Sequence, residues 1–362
     1  MLLINNQEVE ELMDMKACLD ALETGYEDLA RNDAVYRPRL DVWVPCERPD
    51  GYYRWGTMEG ASRTIGTFAI RMKSDVVHWP EGGTEEKYCI EPGNYCGLIM
   101  VFSIANGEPL AIINDGVLQH MRVGGCAGLG AKELAREDAS VVGMFGSGGM
   151  ARTYLMAFNE VRNIEEVRAY SPTRANREAY AAEMSETLGL RVTAVDRPED
   201  VVRGADIVSA CTDSTRVVFD NPEWLEPGAH ITCVRACEIG PRAVDACDVS
   251  VMLGRNTVLT MDEGMVRLHG NVGYVAGQPE EVARIPNPSQ DVYSGDYFHY
   301  FMDVKAGRKP GRTSSEQTTF FINAGTQGLQ FAACAGRVYQ MAKEKGMGRE
   351  LPTEWFTQDI RD

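Results

Sequence analysis

The residues best suited to chemistry are the loop Gly146, Ser147, Gly148, Gly149, Met150 and Ala151. The loop follows the apolar, strand-like run SVVGMFG and opens a helical stretch. In that setting Gly146 permits a tight turn, Gly148 lets a pyrophosphate approach the backbone, and Ala151 allows close packing of helix on strand. The helix start adds unpaired N–H groups and the positive end of a peptide dipole. A purely structural strand-to-helix turn is the alternative, and the pattern alone is weak in a chain with 36 glycines. Its position between strand and helix favours a dinucleotide.

The next strand ends in Tyr170-Ser171-Pro172-Thr173-Arg174, with no carboxylate to hold ribose hydroxyls. The hydroxyls of Ser171 and Thr173, with Arg174 and Arg177, suit a 2′-phosphate instead, so NADP is the expected cofactor and NAD the second choice. The alternative is that these arginines only decorate a helix start. A later strand ends in Ala210-Cys211-Thr212-Asp213-Ser214, and Cys211 and Thr212 are expected beside the nicotinamide.

These residues need a scaffold, and the pattern from 140 to about 252 supplies one. SVVGMFG, EEVRAYS, LRVTAV, ADIVSAC, AHITCV and DVSVML alternate with helical segments, which predicts a parallel sheet with helical crossovers. Before it, Val9, Leu12, Met13, Leu19 and Leu22 repeat at helical spacing after a candidate N-cap at Asn5 or Asn6. Residues 36–113 read as strands (LDVWV, TIGTFAIRM, GLIMVFSI, PLAIIN), with a hairpin at Asn106-Gly107. The polar insert 78–94 is expected to be a loop, 117–136 a helix rich in small residues that lets another backbone come close, and the run from Thr318 a closing helix. The Gly/Pro/Tyr-rich stretch 271–312 has no clear pattern.

With 44% hydrophobic residues among 362, the chain can bury a substantial core and its length favours two domains. A net charge of −17 argues against nucleic acid and anionic membranes as partners. The start MLLINNQEVEELMDM has no signal-peptide pattern, and ten scattered cysteines suit reduced thiols, so a cytoplasmic protein is expected. No Cys or His spacing suggests a metal site.

The blocks GLIMVFSIANGEPLAIIND, QHMRVGGCAGLGAKELARED, VVRGADIVSACT, WLEPGAHITCV and AGTQGLQFAACAGRVYQMAKEKGMG resemble, in order, those of the ornithine cyclodeaminase and mu-crystallin family. The resemblance implies a Rossmann-type, doubly wound parallel sheet (126–312) inserted in an α+β substrate-binding and dimerisation domain (1–125 with 313–362). It also implies a homodimer and hydride exchange at a carbon bearing nitrogen. The expected activity is an NAD(P)-dependent imine or ketimine reductase or amino-acid dehydrogenase. The alternatives are an ornithine cyclodeaminase-type ammonia lyase and a mu-crystallin-like NADP-binding protein without turnover.

In the family a Lys and an Arg grip the substrate carboxylate. The Arg maps to Arg122, whose alternative is to brace its helix against a carboxylate such as Asp115. The Lys maps to Arg71, a better bidentate anchor than acid. Lys73 shares its strand face. The Asp that acts as base in cyclodeaminases is replaced in Val234-Arg235-Ala236-Cys237-Glu238, with Cys237 nearest its position and Glu238 next to it. Gln330 stands where the family's last helix usually carries an acid. Arg39, Arg71 and Arg122 are therefore expected to bind a small anionic amino or imino acid, and together suit more than one anionic group. Lys73, or water ordered by Glu238, is the expected proton relay.

Overall fold

The computed structural model describes residues 1–48, 51–79, 86–214, 216–235, 237–254, 263–268, 271–285 and 298–360. The chain divides into two compact units, one of residues 1–119, 256–289 and 326–362, the other of 120–255 and 290–325.

The first unit is built on an 11-stranded sheet. Its centre is a meander of long antiparallel strands, Leu40–Pro45, Gly51–Ser62, Thr67–His78, Cys96–Ser103 and Pro109–Asn114. The expected Asn106-Gly107 turn joins the last two, with Gly107 at φ +79° and its N–H donating to the Ser103 carbonyl. Two early helices, Asn6–Leu12 and Met15–Ala30, form where expected, and Asn5 caps the first in a reciprocal box with Glu8. The helix Gln327–Lys345 lies on one face of the meander, where Gly328 touches the Glu59 backbone and Thr67 Oγ1 donates to the Ala332 carbonyl.

Two expectations change here. The insert 78–94 is not all loop: Glu86–Tyr88 pairs antiparallel with Val76–His78. Met265–Leu268 and Asn271–Val275, expected in the nucleotide unit, form a hairpin whose second strand pairs parallel with Leu40–Pro45. The parts of these segments at 80–85 and 286–297 lie outside the described residues.

The second unit holds an eight-stranded parallel sheet. Its order is Arg191–Ala194, Glu166–Tyr170, Val141–Phe145, Ile207–Ala210, His230–Cys233, Thr319–Ile322, Val249–Met252 and His299–Tyr300. One apolar cluster packs helices Gly149–Val161 and Arg174–Leu188 on Val142 and Met144, and a second covers Phe145, Val208 and Ile231. That is the doubly wound arrangement expected. The segment Thr319–Ile322, expected to begin the closing helix and to belong to the first unit, is instead an inner strand of this sheet, every residue buried. A continuous run of β-branched and aromatic residues suits a strand covered on both faces. The small-residue helix spans Gly116–Leu134, and its glycines do admit neighbours: a Cβ on Gly124 would lie 2.5 Å from the Thr153 backbone.

Candidate functional site

The glycine loop connects strand Val141–Phe145 to helix Gly149–Val161. Gly146 adopts φ +108°, and a Cβ there would overlap the Cys211 carbonyl, so the tight turn requires glycine. Gly148 is the N-cap, with no side-chain hydrogen bond to the helix start, and the position of its missing Cβ is open space. An N-terminus bare of side-chain caps beside an open glycine fits a pyrophosphate. Ala151 is fully buried under the helix, while Met150 is partly buried against the same core. The Ser171 hydroxyl accepts from Ser147 Oγ at 3.1 Å, tying the end of the next strand to the loop.

Beyond Ser171, Thr173 caps helix Arg174–Leu188 by position, without a side-chain bond. Arg174 stays at the surface and pairs with Glu178 at 2.7 Å. Arg177 points inward instead, donating to the Ser171 carbonyl and to Asp196, so it braces the turn. The Cys211 thiol is buried in the core beside Ser209, and burial pushes its pKa well up; only its carbonyl meets the glycine loop.

Glu238 is buried. Its Oε1 accepts from the Thr212 N–H at 2.6 Å and hydroxyl at 2.7 Å, and its Oε2 from the Arg235 N–H at 2.7 Å. Burial pushes its carboxyl up to about 7 despite these bonds. Its geometry is that of a clamp on two loops. Cys237 donates weakly to the Ser214 carbonyl, and burial raises its thiol too, which makes it a poor base.

On the helix Gly116–Leu134, Arg122 is 9% exposed. His120, two residues before it, lies against the start of helix Gly149–Val161: a Cβ on Gly149 would sit 2.8 Å from His120 Nε2. Nothing in its local sequence marks His120. The same holds for Asn323, whose amide donates to the Val123 carbonyl and the Tyr154 hydroxyl.

In the first unit one face of the meander carries a row of charges. Arg71 donates to Asp115 and to Gln119, both at 2.5 Å, and its guanidinium lies 5.7 Å from the Phe331 ring. Asp115 thus serves Arg71. Lys73 Nζ is 2.6 Å from Asp75, which also accepts from Arg54 at 3.1 Å; Arg39 pairs with Asp41 at 2.7 Å. Burial, then Arg54 and Lys87, hold the Lys73 ammonium well below the usual lysine range. Arg39 Nη2 is buried with no hydrogen-bond partner among the described residues. Gln330 is buried and donates to Tyr26 and Thr326.

The sequence model described as "Ornithine cyclodeaminase/mu-crystallin family" matches residues 1–346. An alanine dehydrogenase of Archaeoglobus fulgidus is 26% identical over 350 residues, 97% of this chain and 98% of that one. A Delta(1)-pyrroline-2-carboxylate reductase of Bacillus cereus is 26% identical over 256 residues, 70% of this chain and 74% of that protein. The Delta(1)-pyrroline-2-carboxylate reductase of Thermococcus litoralis, solved in complex with NADH and L-proline, superposes with a TM-score of 0.76 at 25% identity, covering 97% of this chain and all of its own.

Proposed function

The chain belongs to the ornithine cyclodeaminase/mu-crystallin family, and from that premise we propose that it is an NAD(P)-dependent oxidoreductase acting on an amino acid or its imine. The observation that carries this reading is the uncapped helix start at Gly148, with open space beside it for a pyrophosphate. The loop Gly146–Ala151 would hold a nicotinamide dinucleotide, which would supply the hydride for reduction of an imine to an amine. The chain's own residues bind and orient. We assign Arg122 to the substrate carboxylate; within the first unit, Arg71 is held by Asp115. Glu238 shapes the Thr212 and Arg235 loops. A thiol at Cys237 in place of a carboxylate speaks against a cyclodeaminase.

NADP is the cofactor we assign first, because Arg174 stands exposed at the helix that follows Ser171 while no acid occupies that turn. We also assign a homodimer. The sheet face opposite helix Gln327–Lys345 leaves Val42, Val44, Leu98 and Tyr274 more than a third exposed, beside partly exposed Trp55, Ile70 and Met72, and a second copy would cover it. Ten free thiols and an acidic surface suit the cytoplasm, and no described helix is long and apolar enough to cross a membrane.

The test is a screen of amino acids, and of 2-oxo acids with ammonia or amines, that follows the absorbance of the reduced cofactor. Net formation or consumption with one such set, abolished by Gly148→Asp, is the expected result. Tight cofactor binding with no turnover of any of them would overturn the proposal in favour of a binding protein.

A further inference from the structure

A cavity of about 250 Å³ lies in the first unit at the paired ends of Leu40–Pro45 and Gly51–Ser62, where Pro45 faces Tyr52, against the short helix Pro279–Val282. One wall is aromatic. Tyr52 and Trp79 line the cavity and both pack on Trp43, Tyr52 edge-on with ring centroids 6.5 Å apart and Trp79 stacked at 6.3 Å. Val77, Leu268 and Ile285 complete that apolar cluster.

The other wall carries charge. Exposed Arg284 and half-buried Glu281 line the cavity, and both act electrostatically on the Tyr52 hydroxyl. Glu281 Oε2 accepts from the Gln278 N–H at 2.7 Å, which commits that oxygen to the start of its own helix. Tyr52 is 5% exposed, and its hydroxyl is buried with no hydrogen-bond partner among the described residues. Burial first, then the Glu281 charge, raises its pKa against an opposite pull from Arg284, so the hydroxyl keeps its proton and can donate. A buried donor is costly to leave unpaired, and an acceptor placed in the cavity would satisfy it. An engineered cavity of about 150 Å³ takes benzene, so the volume here has room for one ring with a carboxylate on a short arm.

We propose that this cavity is a binding site for a small aromatic carboxylate, its ring against Tyr52 and Trp79 and its carboxylate accepting from the Tyr52 hydroxyl beside Arg284. The site belongs to the first unit and the glycine loop to the second, so it is additional to the nucleotide site and stands apart from the redox reading.

Calorimetric titration of the full chain with phenylacetate tests the site. Saturable binding of one molecule per chain is expected. 2-Phenylethanol lacks the charge, cyclohexylacetate the aromatic ring and acetate any ring, so each should bind about tenfold more weakly or worse. Tyr52→Phe should weaken phenylacetate by about tenfold and Arg284→Gln by about threefold. Tyr52→Phe should not lower the Tm of the ligand-free chain, because its hydroxyl has no bond to lose. Arg122→Met, a change in the other unit, should leave phenylacetate binding unaltered. Absence of saturable binding, equal binding of all four compounds, or a lower ligand-free Tm in Tyr52→Phe would overturn the proposal. Binding lost in Arg122→Met but kept in Tyr52→Phe would overturn it too, by moving phenylacetate to the substrate carboxylate site and leaving the oxidoreductase reading in place.

Discussion

At the residue scale, the two loop glycines make opposite predictions. Gly148 faces open space, so Gly148→Asp leaves the fold intact and sets a carboxylate against the bound pyrophosphate. Cofactor affinity should fall by about a hundredfold or more with little change in Tm, read by titration and thermal melting on one sample. Gly146 is constrained by its positive φ and by the Cys211 carbonyl, so Gly146→Ala should lower Tm even without cofactor. Arg174→Ala should weaken NADPH by about tenfold, one charge-assisted contact, and leave NADH nearly unaffected; equal losses for the two would remove Arg174 from the site. The glycine loop was legible because its turn chemistry is local. Asp41, Asp75 and Asp115 were not, because register and glycine spacing across strands bring them to the cations, and no window of sequence contains that pairing.

At the element scale, the clearest case is Glu238, which joins the loops after two parallel strands. Burial raises its carboxyl from 4.5 to about 7, so between those values the folded chain holds a proton that the unfolded chain has lost. Its contribution to stability is therefore complete below about 4.5 and is lost as pH rises through about 7. Glu238→Gln cannot ionise. It also turns one amide N–H toward a backbone donor, a cost of about 1–3 kcal/mol at every pH. The Tm of the variant relative to wild type should then start low at pH 5 and improve toward pH 8. A difference that stays flat with pH would mean that Glu238 does not titrate in this range. Six strands of the parallel sheet were readable from alternation with helices, whereas Thr319–Ile322 was not, since a four-residue buried run adjoining a helix carries no period of its own. The hairpin Met265–Val275 was missed for a related reason: its pairing partner, Leu40–Pro45, lies more than two hundred residues earlier in the chain.

For the whole molecule, the exposed apolar sheet face and the redox assignment are separate claims. Leu98→Glu places a charge in the middle of that face, at a position 38% exposed in the single chain, so its cost should appear in assembly more than in folding. Light scattering should give a dimer for wild type and a monomer for the variant; a wild-type monomer would reject the homodimer. The central claim, hydride exchange at a carbon bearing nitrogen, is tested most directly with reduced cofactor carrying deuterium at the transferable position of the nicotinamide. In the presence of the preferred imine, the account predicts deuterium on the carbon bearing nitrogen in the amino-acid product, with one oxidised cofactor formed per amine. Ammonia released from ornithine with the cofactor pool unchanged would contradict it.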